Sequence, residues 1–205
     1  MEPRSCTIYF DADDILQDWC NTTIRVLGGM EDLPSPVNRA QLNAMPKRKE
    51  VLGLMYQRRP NLFTELPPLE NGLSLFNLVK AEVAGSNTKV KVLTAIGYDH
   101  HDPEMVKQDK INTLTKLLDI PEEDIIVVMH GSDKADFLDS SCLLIDDWDK
   151  NTDAALAVGA GAIHIEYIAN LSHECLQNIV NFEIMPFIES AYEKFDVEDC
   201  HGEDD

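Results

Sequence analysis

Apolar residues come in short runs, with amphipathic stretches of helical period between them. "TIYFD", residues 7–11, reads as a buried strand that runs straight into acids. Residues 13–29 then read as a helix closed by Gly28 and Gly29. An irregular stretch follows, and from Gly72 the pattern becomes regular. "LSLFNLVKAEV" is a helix and "KVKVLTA" a strand; "PEMVKQDKINTLTKLLDI" is a helix with Pro103 at its start. "DIIVVM" and "CLLIDD" are strands, "NTDAALAVG" a helix and "AIHI" a short fifth strand, while "HECLQNIVNFEIMPFIESAYEKF" supplies closing helical material. Strands alternating with helices of this length predict an α/β fold with a doubly wound, Rossmann-like parallel sheet. Ligands of such sheets bind at the carboxyl ends of the strands.

The irregular stretch differs in chemistry. Residues 31–71 are rich in proline and hold six of the seventeen basic residues. They predict a small helical cap at 30–71 inserted after the first strand, with the core formed by 1–29 and 72–195. The end, "DVEDCHGEDD", lacks apolar periodicity and reads as an acidic tail over 196–205.

Composition narrows the function classes. A chain of 205 residues, 44% of them hydrophobic, supports one sizeable core and a small satellite lobe. A net charge of -20 repels nucleic-acid backbones and anionic membranes, which argues against a nucleic-acid polymer or a membrane as partner. No apolar run approaches the ~20 residues that span a bilayer, and "MEPRSC" does not read as a signal peptide. Five cysteines (Cys6, Cys20, Cys142, Cys175, Cys200) without a CxxC fit reduced thiols and a cytoplasmic protein. There are no internal repeats, and the oligomeric state, a homodimer included, is left open.

The acids after the first strand demand an explanation. One aspartate is accounted for as a helix N-cap, but Asp11, Asp13 and Asp14 crowd within four residues, with Asp18 one turn on. Like charges at that spacing repel unless a cation sits among them. The other strand ends complete a pattern. "KVKVLT" ends in Thr94, "CLLIDD" ends in Asp146 and Asp147, and Lys134 lies between them in sequence. A hydroxyl, an ammonium and two acid pairs on one rim form a phosphoryl-transfer constellation. The acid pairs offer oxygen ligands to Mg2+, the lysine offsets phosphate charge, and Asp11 is free to attack as a nucleophile through an aspartyl-phosphate.

"DADDI" after a strand, Thr94, Lys134 and "LLIDD" resemble, in order, the four motifs of the haloacid dehalogenase-like phosphatase superfamily. "FDADDILQDW", "NLFTELPPLENGL" and "DK…LLIDD" are further similar to the 5'(3')-deoxyribonucleotidase family, over roughly residues 5 to 165. That resemblance implies a Mg2+-dependent phosphatase acting on (deoxy)ribonucleoside monophosphates, pyrimidines preferred. It implies Asp11 as nucleophile and Asp13 as general acid, then base. Thr94 would bond phosphoryl oxygens and Lys134 would neutralise phosphate. Asp11, the Asp13 main-chain carbonyl and the Asp146–Asp147 pair would hold Mg2+, the family leaning toward Asp147 as direct ligand. Lys110 falls near a second phosphate-contacting lysine, and Trp19 and Phe63 at aromatic positions around the base. The basic residues Lys47, Arg48, Lys49, Arg58 and Arg59 would guide an anionic substrate into the closed cap.

Three positions depart from the family pattern. Asp14 stands where it has glycine, Ala95 where it has a phosphate-holding serine, and Ser132 where it has an arginine. Some residues admit plainer readings. Trp19 reads equally as core or as a stacking surface. "DHH" (Asp99, His100, His101) reads as a solvated loop rather than a zinc site. "DADDILQDWCNT" fails as an EF-hand, with Leu16 at position six and Thr22 at position twelve. A same-fold phosphatase for another small phosphomonoester is the runner-up, and a non-enzymatic acidic mimic of nucleic acid ranks lower, since a mimic has no need of Thr94 and Lys134.

Overall fold

A computed structural model describes residues 5–97, 100 and 102–199, with side chains to 193. Five parallel strands, β1 (Thr7–Phe10), β2 (Lys89–Ala95), β3 (Ile125–Val128), β4 (Cys142–Asp146) and β5 (Gly161–His164), form one sheet in the order β3-β2-β1-β4-β5. The predicted α/β doubly wound sheet is the observed one. β4 is buried along its whole length, and β1 is buried after Thr7, because both lie inside the sheet with helices on each face. The chain leaves β1 toward β2 on one side and returns to β4 on the other. The crevice where that order reverses opens between the ends of β1 and β4, immediately before Asp11 and at Asp146–Asp147.

Helix α1 starts at Trp19 and ends at Gly28, not at residue 13 as the apolar spacing predicts. Asp14 takes a left-handed backbone (φ 60°), which an α-helix does not admit. The chain instead folds into a compact loop, in which the Leu16 and Gln17 amides both donate to the Ala12 carbonyl. Asp18 caps α1 by accepting from the Asn21 amide at 3.1 Å.

The segment after α1 carries α2 (Arg39–Asn43) and α3 (Arg48–Arg58). Leu42, Leu52, Met55, Tyr56 and Phe63 pack there into a small core of their own. Trp19, Cys20 and Leu27 of α1 join that cluster, although the sequence reading counted α1 with the main core. Helices α4 (Glu70–Glu82), α5 (Pro103–Leu118), α6 (Asp149–Ala157), α7 (His173–Ile179) and α8 (Met185–Asp199) complete the layers. A π turn, Val180–Ile184, joins α7 to α8, just before Pro186, which brings no amide donor to the helical ladder. Helical backbone therefore reaches residue 199, four residues into the stretch read as tail; residues 200–205 lie outside the described residues, as do Asp99 and His101 of the "DHH" loop. No helix among the described residues is long and apolar enough to cross a membrane.

Helix α4 holds up the loop after β1 from below. A Cβ on Gly72 would stand 1.7 Å from the Ile15 carbonyl oxygen, and the Leu69 amide donates to the Leu16 carbonyl at 2.9 Å. Backbone on both sides leaves nothing that can yield. We expect Gly72→Ala to destabilise by about 3 kcal/mol, the upper end for overpacking, seen as a fall of roughly 6–12 °C in Tm for a chain of this size. A melting temperature within a degree or two of the parent would show that the loop is not seated on α4.

Candidate active site

The loop that leaves β1 is tied to its neighbours by backbone first. The Asp11 amide donates to the Ile145 carbonyl at 2.8 Å, which locks the end of β1 to β4. The Ala12 amide donates to Asp11 Oδ1 at 2.8 Å and fixes the carboxylate's orientation. Lys134, on a tight turn after β3, then reaches both strand ends: its ammonium lies 2.9 Å from Asp11 Oδ1 and 2.6 Å from Asp146 Oδ2. Burial alone would pull the Lys134 pKa down, but Asp11 and Asp146 together raise it, so it is a fixed positive charge.

Asp146 is fully buried and saturated. Oδ1 accepts from the Trp148 amide at 2.9 Å, and both its oxygens accept from Asn151 Nδ2, at 3.1 and 3.0 Å. Asp147 instead lines the open cleft. Oxygens of Asp11, Asp146 and Asp147 lie within 4.8 Å of one another. Three hard carboxylate donors at that spacing suit a small divalent cation.

Asp13 has a different partner. Lys110 of α5, fully buried, donates to Asp13 Oδ1 at 2.9 Å and to the Ala95 carbonyl at 2.8 Å. Lys110 does not line the cleft; it holds Asp13 rather than standing where a phosphate would meet it. Burial raises the Asp13 pKa against the pull of Lys110. The raised carboxyl sits two residues beyond Asp11, within the same loop, and can hold a proton there.

The remaining predicted residues divide. Ala95, Ser132 and Trp19 line the cleft. Trp19 donates through Nε1 to the Tyr56 hydroxyl at 2.8 Å. Thr94 is fully buried at the end of β2 and does not line the cleft; its hydroxyl has no hydrogen-bond partner among the described residues. Phe63 is buried in the cap core, stacked on Tyr56 with the Lys110 ammonium 4.5 Å from its ring centre. It is a support beneath the cleft rather than part of its wall. The cap cations also separate. Arg58 forks onto Asp32 at 2.7 Å, Arg59 pairs with Glu65, and Lys47 with Glu50 at 3.2 Å. Of the five, Arg48 and Lys49 line the cleft. Sequence reasoning missed Arg39, Trp148, Lys150 and His130, which also line it. The guanidinium of Arg48 lies between Trp19 and Trp148, 5.7 and 5.2 Å from their ring centres. The one local signal was position: Trp148 and Asn151 follow "DD" at the start of a helix. The whole cleft has a volume of about 990 Å³.

Asp14 occupies the left-handed position where the family pattern has glycine, and its side chain gives it a role there. It accepts from the Cys20 amide at 2.8 Å and lies 3.5 Å from Arg39.

No family model matches this sequence, and no curated protein matches it. Solved structures do. A haloacid dehalogenase-like hydrolase, family IA, variant 3, from Entamoeba histolytica superposes with a TM-score of 0.55 at 14% identity, covering 91% of this chain and 100% of that one. A haloacid dehalogenase-like family hydrolase from Streptococcus pneumoniae gives 0.53 at 11% identity, over 78% and 83%. The hydrolase YfnB from Bacillus subtilis, solved bound to magnesium, gives 0.52 at 13% identity, over 80% and 88%. At these identities the likeness establishes the haloacid dehalogenase-like fold. The narrower deoxyribonucleotidase resemblance rests on the motifs alone.

Burial, then the charges of Asp11, Asp14 and Asp146, push the Asp147 pKa up to about 8 against the pull of Arg39. Burial pushes Asp14 up to about 7, offset in part by the Cys20 amide and Arg39. An unfolded aspartate titrates near 3.9. Between pH ~4 and ~8 the metal-free fold therefore binds more protons than the unfolded chain, and its stability falls as pH rises. The lowered groups, Asp32 and Asp139, act only below about pH 4. Melting in a chelator should show a lower Tm at pH 8.5 than at pH 5.5. Mg2+ should recover the loss at high pH, and Asp147→Asn should flatten the slope. A chelated protein whose Tm climbs with pH would contradict this assignment.

Proposed function

We propose that this protein is a Mg2+-dependent phosphatase that hydrolyses (deoxy)ribonucleoside monophosphates through an aspartyl-phosphate on Asp11. The observation that carries this reading is the Lys134 bridge, which clamps Asp11 against Asp146 beside a cleft while Asp13, with its raised pKa, stands alongside. The haloacid dehalogenase-like fold supports it. Asp11 and Asp147 would hold Mg2+, with the Asp13 main-chain carbonyl, and Asp146 would serve as the saturated support behind them. When bound there, the ion supplies positive charge to the phosphoryl oxygens.

The residues of the chain account for each proton and bond. The Asp11 carboxylate attacks phosphorus, and the bond to the ester oxygen breaks. That oxygen leaves with the proton of Asp13, whose carboxylate stays paired with Lys110. Asp13 then removes a proton from water as the water attacks phosphorus, the Asp11–phosphorus bond breaks, and inorganic phosphate leaves. A poised acid is what an alkoxide leaving group needs; a halide leaves without one.

Substrate choice rests on the cleft wall. Arg48, Lys49 and Lys150 bring positive charge to a chain of net charge -20. Trp19 and Trp148 offer flat surfaces, where stacking of a base is worth ~1–3 kcal/mol. Reduced, unpaired Cys6, Cys20, Cys142 and Cys175 fit action in the cytoplasm.

Phosphate release from a panel of monophosphates is the decisive measurement. Asp11→Asn should abolish turnover in a folded protein, and Asp13→Asn should lower kcat ~10²–10⁴-fold. Near-normal turnover by Asp11→Asn, or full activity in EDTA, would remove the covalent or the metal part of the proposal respectively.

Trp19→Ala should raise KM for nucleoside monophosphates while sparing a small alkyl phosphate. Equal losses on both, or a phosphosugar that outruns every nucleotide, would shift the substrate class to another small phosphomonoester.

A further inference from the structure

Arg39 is the first residue of α2 in the cap, yet its guanidinium lies among the acids of the core. It ion-pairs with Asp147, lies 3.5 Å from Asp14 Oδ2 and donates to the Glu166 carbonyl at 3.1 Å. Its guanidinium carbon is 5.2 Å from the ring centre of Tyr167. One cap side chain thus touches the loops after β1, β4 and β5. Its main partner, Asp147, belongs to the three-carboxylate cluster and, with Asp11, lines the cleft.

A guanidinium and a divalent ion cannot share that carboxylate without cost. An oxygen accepting from an arginine carries less available negative charge, and two cations a few ångströms apart repel. The geometry points to Arg39 as an internal counter-ion that competes with the divalent cation for Asp147. Metal binding releases the guanidinium from Asp147, and Asp14, the Glu166 carbonyl and the Tyr167 ring then keep it at the cleft wall. This inference rests on the metal reading given above and goes beyond it, because it assigns the opposing charge to the chain itself.

Isothermal titration of the full chain with MgCl2 alone, at pH 7.5 and without substrate, tests the competition. Arg39→Gln should bind Mg2+ about tenfold more tightly than the parent, since a neighbouring positive charge has gone. Arg39→Lys keeps the charge and should stay within about threefold of the parent. A second measurement reads the parent protein directly. The chain has six arginines, so the Arg39 Nε–H resonance can be assigned by its loss in Arg39→Lys, and in the parent it should shift on saturation with Mg2+. Unchanged or weaker binding by Arg39→Gln, or an unmoved resonance at saturation, overturns the competition while the metal centre stands. Absence of Mg2+ binding in the parent and both variants overturns the metal centre and this inference together. Binding that appears only in Arg39→Gln supports the competition.

Discussion

One buried ammonium sets the geometry on which the rest depends. Lys134 is almost inaccessible and lies between Asp11 at 2.9 Å and Asp146 at 2.6 Å. Those carboxylates end adjacent parallel strands, so without a cation between them β1 and β4 would bring like charges together in a medium of low polarity. Removing one partner of such a buried arrangement costs about 3–5 kcal/mol, because the charge left behind has no solvent. The lysine therefore sits at the junction of folding and chemistry. The same contact that lets the strands close also points the Asp11 carboxylate at the cleft.

A second buried lysine repeats the device one layer away. Lys110 ties Asp13 to the end of β2 through the Ala95 carbonyl, and its ammonium lies over the ring of Phe63 of the cap. Each of the two aspartates is fastened by an ammonium group, and beyond Asp13 the loop rests at Ile15 and Leu16 on the bare backbone of α4 at Gly72. Rigid placement of this kind is what positions reacting groups without reorganisation during the reaction. The cap contributes a different chemistry. Part of its positive charge is paired on the cap surface, Arg58 with Asp32, Arg59 with Glu65 and Lys47 with Glu50. Arg39 pairs with the acids of the core, and Arg48 and Lys49 face the cleft.

The parts of this molecule that were legible in the sequence are those written in a repeating pattern. The strands β1 to β5 follow from runs of apolar residues, and the placement of Asp11, Thr94 and Asp146–Asp147 at strand ends follows from where those runs stop. The start of α1 did not follow, because helical spacing continues through residues 13–18 while the left-handed backbone of Asp14 ends it. Phe63 and Lys110 were placed at the substrate because residue type marks what a side chain can do, not which side of a wall it is on. Arg39 escaped notice for the opposite reason. Its partners are 25 residues before it and 108 after it, and no local pattern announces a contact of that range.

The sandwich of Arg48 between Trp19 and Trp148 has an optical consequence. These are the only two tryptophans in the chain, and both line the cleft. Indole emission therefore originates wholly at the junction of cap and core, with one ring hydrogen-bonded to Tyr56 and a guanidinium lying between the two. Intrinsic fluorescence of this protein is a local gauge of how the cap is seated.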